Sequence, residues 1–277
     1  MDINAAFVGG GHMGGALIRG LIARGLDAQR ISVGEAHQPR RIELADTLGV
    51  FVTADNREAV QDADVVVLAV KPQDMAGTVQ SISEALRARA PLVISIAAGI
   101  RVADIENWCG PGIAVVRAMP NRPALHGAGA TALYAPASAS EAQRTLAAQV
   151  LGAVGTTVWV TEESLIDVVT ALSGSGPAYF FLLAELMTDA AVSLGLDRAS
   201  AHELSLQTLH GSGLMARESD GDLARLRAEV TSKGGTTEAA VPSFDAAKLR
   251  GIVAAALTAA TERGREMART FGQPGKK

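Results

Sequence analysis

Gly9-Gly10-Gly11-His12-Met13-Gly14 is the stretch of this 277-residue chain whose residue types and spacing bear most directly on chemistry. Glycines at 9, 11 and 14 allow a tight turn, a close approach of phosphate to backbone, and close packing of a helix on a strand. The strand is the apolar run Ala6-Phe7-Val8 just before the turn, and the helical pattern opens near Met13. Exposed N–H groups at such a helix start, with the positive end of its dipole, receive the pyrophosphate of a dinucleotide. Glycine is plentiful here, at 29 residues, so the place of the motif between strand and helix carries the reading.

The choice of dinucleotide rests on other residues. The second strand, Ile31–Gly34, ends at Glu35, where a carboxylate holds a ribose 2′-OH and favours NAD. Arg40 and Arg41 follow soon after. They are placed either to reach a 2′-phosphate, favouring NADP, or to be solvated first-turn residues of the next helix. The expectation is NADPH, with NADH admitted.

Other chemistries find less support. His12, His37, His126, His202 and His210 form no ligand-like cluster with cysteine or carboxylates, so no metal is expected. The single cysteine, Cys109, excludes an intrachain disulfide and fits a reducing compartment. A net charge of -4 with scattered basic residues leaves no footprint for nucleic acid. Met1-Asp2-Ile3-Asn4 has no basic stretch before an apolar run, so no signal peptide is expected, and the expected location is cytoplasmic. The most apolar helix-length run, 177–196, is interrupted by Glu185 and Asp189 and reads as a buried interface helix, not a membrane span. The tail Gly275-Lys276-Lys277 reads as a solvated end.

Two kinds of periodicity must position these groups. Strand-like runs at 5–8, 31–34, 50–52, 65–70, 92–95, 115–119, 130–134 and 157–160 alternate with helical patterns at 13–24, 40–48, 75–86 and 141–151. Such repeats imply a Rossmann-type, mostly parallel sheet covered on both faces. After about residue 163 only helical patterns remain: 163–172, 176–194, 198–218, 222–229 and 244–270. The fold class is therefore α/β, with a dinucleotide-binding domain at 1–162 and an all-helical domain at 163–277. So small and apolar a helical domain is expected to complete its core with a second subunit, as a dimerisation domain.

The ends of the later strands are more distinctive. Ala69-Val70-Lys71-Pro72-Gln73 is followed by Ser95-Ile96-Ala97-Ala98-Gly99-Ile100 and then by Arg117-Ala118-Met119-Pro120-Asn121-Arg122-Pro123-Ala124. Asp167-Val168-Val169-Thr170-Ala171-Leu172-Ser173-Gly174-Ser175-Gly176-Pro177-Ala178-Tyr179 and Val230-Thr231-Ser232-Lys233-Gly234-Gly235-Thr236-Thr237 come later. In this order the series closely resembles the pyrroline-5-carboxylate reductases, which catalyse the last step of proline biosynthesis, and the resemblance spans nearly the whole chain. It implies cofactor phosphates on Val8, Gly9, Gly10, Gly11, His12 and Met13, and the adenosine half against Asn56. It places Ala69, Val70, Lys71 and Pro72, with Ile96, Ala97 and Ala98, along the cofactor. It assigns the substrate to Glu163, Ser232, Thr236 and Thr237, with Gly234 and Gly235 receiving the carboxylate. It also implies a homodimer with interleaved helical domains, assembled in many members into larger rings. The chain departs from the common pattern at His12, where Asn or Gln is usual, at Arg122 for Thr, and at Lys233 for Pro. Lys233 adds positive charge beside the expected carboxylate site; nothing in the sequence explains Arg122.

Reduction of a cyclic imine asks the protein to hold the imine carbon against the nicotinamide, bind the carboxylate and favour the iminium form. Gly234-Gly235 is suited to an anion-binding nest of backbone N–H groups. Ser232 and Thr236 add hydroxyls, and Thr237 is the expected catalytic group, hydrogen-bonding the ring nitrogen. A hydroxy-acid dehydrogenase of similar architecture would want a lysine early in the helical domain, and none follows Ser173 closely. Plainer readings stand beside these. Residues 173–177 suit a simple helix start, Glu163 suits a first-turn acid, and 232–237 suits an ordinary connection between helices.

Overall fold

In the computed structural model, which describes residues 2–271, short β-branched and small-residue runs form the strands, and glycines follow β1 and β5 on the way into the next helix. The expected tail at 275–277 lies outside the described residues. In chain order the elements are β1 (Ala5–Val8), α1 (His12–Ala23), β2 (Ile31–Gly34), α2 (Gln38–Leu48), β3 (Phe51–Thr53), α3 (Asn56–Val60), β4 (Val65–Leu68) and α4 (Met75–Arg89). Next come β5 (Leu92–Ser95), α5 (Val102–Cys109), β6 (Ala114–Met119), β7 (Gly129–Tyr134), α6 (Glu141–Leu151) and β8 (Gly155–Trp159). The helical remainder is α7 (Leu165–Val169), α8 (Gly176–Ser193), α9 (Arg198–Glu218), α10 (Leu223–Glu229), α11 (Thr236–Ala246) and α12 (Leu249–Phe271).

The strands pair in the order β3-β2-β1-β4-β5-β6-β7-β8, all parallel except β6 with β7. The order reverses between β1 and β4, where Val8 lies level with Gly34 on one side and Leu68 on the other. In open parallel sheets the crevice for ligands lies beyond the carboxyl ends at such a switch point. Alternate residues feed opposite faces: Phe7, Val67 and Ile94 join Leu17, Ile18 and Leu21, while Val8, Val66 and Val93 join Met75, Val79 and Ile82. All are essentially fully buried, as expected of a sheet covered on both sides.

All the expected strands are present, with β4 stopping at Leu68 rather than running on to Val70. Helices α3, α5 and α11 were not anticipated. α3 and α5 are 5 and 8 residues long, too short to show a helical period, although Asp55 caps α3 by accepting from the Arg57 N–H. The single helix expected at 244–270 is two. Lys248 adopts φ 57°, ending α11 before α12 begins, and Pro242 inside α11 had disguised it as loop.

Packing also divides the chain differently from periodicity. Among the described residues, 2–174 together with 260–271 form one compact unit, and Ser175–Ala259 form the other. Ile166 and Ala171 are buried in the sheet unit, and so is Ala268. Periodicity marks where strands stop, not which surface a helix covers.

The helical unit is built differently. Ala184 and Thr188 of α8 and Ala201 of α9 are buried where those helices pack, but Phe180, Phe181, Leu182, Leu186 and Met187 are exposed. The continuous helical stretch Leu165–Ser193 meets the length and hydropathy of a membrane span by composition.

Candidate active site

At the switch point the chain leaves β1 through Gly9, whose φ of 101° suits glycine. The Gly9 N–H donates to the Gly34 carbonyl at 2.8 Å, and a Cβ at Gly9 would sit 2.8 Å from the Ala69 carbonyl oxygen. A Cβ at Gly14 would meet the Gly9 carbonyl at 2.5 Å, whereas Gly11 opens onto free space at the N-cap of α1. Two glycines thus let the turn lie against its neighbours, and the third leaves it bare toward a ligand. This arrangement fits a dinucleotide pyrophosphate. Around it stand His12, exposed as the first residue of α1, and Met13. Ala69, whose N–H donates to Val8, leads through Val70 and Lys71 into Pro72, and Ile96, whose N–H donates to Leu68, leads into Ala97 and Ala98. All leave strand ends on the same edge of the sheet. Asn56 opens α3 with its Oδ1 lying against Gly34 in the space that glycine leaves.

The residues expected to separate NAD from NADP are drawn inward. Glu35 accepts from the Gly10 N–H at 2.8 Å and from the His37 N–H at 2.9 Å. Arg41 donates to the Glu35 and Ala36 carbonyls at 2.8 and 2.7 Å, which makes it a brace for the end of β2. Arg40 donates through Nε to the Gly10 carbonyl at 2.6 Å and pairs with Glu43 at 2.6 Å. Glu35 therefore already supplies a negative charge to one N–H of the glycine turn, and Arg40 lies beside the same turn with its positive charge.

A second charged group in the sheet unit was not anticipated. Arg117 of β6 is 1 % exposed and donates from Nη1 to Glu163 and from Nη2 to Asp167, both at 3.2 Å. The same Glu163 oxygen accepts from the Val102 N–H, at the start of α5, at 2.8 Å. A buried guanidinium needs such partners to offset its desolvation. A lone arginine in an otherwise apolar strand was the available signal. Asn121 also ties segments together, accepting from the Ala130 N–H at 2.8 Å and donating to the Ser173 carbonyl at 3.0 Å. Ser173 lies in the helical turn 170–174 that precedes α8.

In the helical unit Ser232, Gly234, Gly235, Thr236 and Thr237 come together as a turn that opens a helix. Gly234 adopts φ 73°, Gly235 is the N-cap of α11, and Thr236 and Thr237 are its first two residues. The two glycine N–H groups are engaged: Gly235 donates to the Ser232 carbonyl at 3.0 Å and Gly234 to the Glu238 carboxylate at 2.5 Å. Sequence reasoning missed Glu238, although an acid three residues past an N-cap is a recognisable helix-start signal. Ser232, Lys233 and Thr236 are exposed.

Comparisons with known proteins agree with this fold. Residues 163–267 match the family model for pyrroline-5-carboxylate reductase dimerisation, and residues 4–99 match that for NADP oxidoreductase, coenzyme F420-dependent. Pyrroline-5-carboxylate reductase of Pseudomonas aeruginosa is 48 % identical over 268 residues, covering 97 % of this chain and 98 % of the relative. The chain belongs to the pyrroline-5-carboxylate reductase family. A solved member from Coxiella burnetii superposes with a TM-score of 0.93 at 41 % identity, covering 97 % of this chain and 99 % of that one. The Plasmodium falciparum enzyme, solved with NADP bound, superposes with a TM-score of 0.83 at 28 % identity, over 96 % of this chain and 98 % of that one. The helical half carries the family's dimerisation part, so the chain is a homo-oligomer.

Proposed function

We propose that this chain reduces Δ1-pyrroline-5-carboxylate to L-proline with hydride from NADPH, NADH serving as a second donor. The observation that carries the reading is the turn 232–237, where hydroxyls and a helix start face solvent in a chain that also holds an intact glycine cradle. NADPH, when bound, supplies the hydride; the work left to the chain is binding and orientation. Gly9, Gly10, Gly11, His12 and Met13 take the phosphates, with Asn56 toward the adenosine. Ala69, Val70, Lys71, Pro72, Ile96, Ala97 and Ala98 line the rest of the cofactor. Ser232, Thr236 and the N–H groups of Gly234 and Gly235 hold the substrate carboxylate, helped by the charge of Lys233. Thr237 hydrogen-bonds the ring nitrogen, holding the iminium in place as its carbon accepts hydride and the nitrogen becomes an amine.

Glu163 enters this reading in a changed role. Its bonds to Arg117 and Val102 make it a support for α5, so we place it as a structural group rather than a substrate contact. Residues 1–162 serve as the cofactor-binding part and 163–277 as the substrate and dimerisation part, a division supported by the family match that begins at 163. The assembly is a dimer with interleaved helical parts, built into larger rings. It works in the cytoplasm on a small molecule, without nucleic acid or membrane.

A steady-state assay with pyrroline-5-carboxylate, run with NADPH and with NADH, tests the activity; no cofactor oxidation with either would end the reading. Thr237→Ala is expected to lower kcat/KM by about 10- to 100-fold, one to two hydrogen bonds' worth. Its dissociation constant for NADPH should stay unchanged. An unaltered kcat/KM would remove Thr237 from the site.

A further inference from the structure

One charged cavity takes in the Arg117 cluster but none of the residues placed above against the cofactor or the substrate. It has a volume of about 350 Å³, lies in the sheet unit and is lined by Arg101, Arg117, Glu163, Ser164, Asp167, Arg265 and Arg269. Four guanidinium groups thus share one cavity with two carboxylates. The carboxylates are spent on Arg117, the buried one. Arg101, Arg265 and Arg269 are exposed and form no ion pair among the described residues. Arg30, Arg40, Arg57, Arg89, Arg198, Arg225, Arg250 and Arg263, by contrast, each pair with an acid.

Unpaired like charges gathered at one place repel, and on α12 the repulsion is built in, because Arg265 and Arg269 stand one turn apart on one face. The cavity holds a second incomplete group: Arg117 Nε is buried with no hydrogen-bond partner. Guanidinium forks from separate elements converging on one space match the geometry of a tetrahedral oxyanion.

We propose that this cavity is a binding site for a small phosphate-bearing molecule, held by Arg101, Arg265 and Arg269 and separate from the dinucleotide site. Its position gives binding a route to the cofactor. Arg101 follows directly on the segment 96–100 that leaves β5, and Met267, between the two arginines of α12, packs on that segment. A Cβ at Gly99 would lie 3.1 Å from the Met267 Cβ. An anion bridging Arg101 to Arg265 and Arg269 braces the cofactor-lining segment against α12.

The test uses the full-length oligomer saturated with NADP⁺, so that the dinucleotide site is already filled. Calorimetric titration with inorganic phosphate and with pyrophosphate, against chloride at equal ionic strength, should give a dissociation constant of about 1 mM or tighter. The double variant Arg101→Gln, Arg269→Gln should weaken it at least about tenfold, with NADP⁺ affinity unchanged. Phosphate should also slow amide hydrogen exchange in residues 96–105 and 260–271 of the unaltered protein and not of the variant. Absence of phosphate binding, or binding that the double variant leaves intact, overturns the proposal. So does a variant whose only change is a looser oligomer, which would show that these arginines answer carboxylates of a second copy.

Discussion

The sheet unit and the helical unit solve the same problem, burying apolar side chains, in opposite ways. In the sheet unit Phe7, Leu17, Val67, Ile82 and Ile94 are all completely buried, and every strand between β3 and β8 has a neighbour on both sides. In the helical unit α8 carries apolar groups all round, and Phe181 remains 65 % exposed and Leu186 56 %. A helix apolar on every side is one meant to be buried. The first unit's core closes on its own chain, while the second leaves apolar side chains uncovered in the part that matches the family's dimerisation model.

That contrast can be attacked from either side. Leu186→Asp places a charge on the exposed apolar face of α8; if a second copy covers that face, the cost is several kcal/mol, about 3 or more. It should yield monomers by light scattering at micromolar concentration and abolish turnover, while the sheet unit still binds NADPH. A variant that remains oligomeric would mean that α8 is not the shared face. Gly14→Val is the reciprocal change, driving a side chain into the Gly9 carbonyl. NADPH affinity should fall at least about 100-fold, or ~3 kcal/mol, with the oligomer intact. Titration of cofactor fluorescence checks it, and normal affinity would show that the turn is not the phosphate cradle.

Smaller effects are expected where the chain competes with its own ligand. The Glu238 carboxylate holds the Gly234 N–H, a donor assigned above to the substrate carboxylate. Glu238→Gln should therefore lower the KM for pyrroline-5-carboxylate by about 3- to 10-fold, a single charge-assisted bond's advantage, with kcat nearly unchanged. A KM that rises would make Glu238 a support of the site instead of its competitor. The mildest change is Ser140→Ala. Ser140 and Gln143 cap α6 reciprocally, and losing that cap should cost about 1 kcal/mol in urea unfolding with kinetics untouched.

The sheet unit was the more legible in sequence, because its strands are runs of β-branched residues punctuated by glycine, and a strand's burial on both faces leaves a local mark. The glycine turn was readable because it sits directly between β1 and α1, with Gly14 closing on Gly9 inside that one unit. What escaped was set by partners distant in the chain. Arg117 meets Glu163 and Asp167 across 46 and 50 residues, and nothing near any of them announces the pairing. Glu35 was read as holding a ribose 2′-OH and Arg41 as either reaching a 2′-phosphate or standing in solvent, and spacing shows nothing of the bonds both make to nearby backbone. The Pro242 helix was lost because proline inside a helix looks locally like a break. The family motifs filled part of this gap at 232–237, where the residues alone allowed a plain connection as well as a ligand loop.

Cys109 ends α5 with no exposure, and burial pushes its thiol up to about 11, far from the thiolate that reacts. As the chain's sole sulfhydryl, it makes the enzyme its own reporter of opening. A thiol-directed dye added to the native protein should stay unreacted, and the rate at which colour appears would count the moments when the floor of the sheet comes apart, without a label ever having been engineered in.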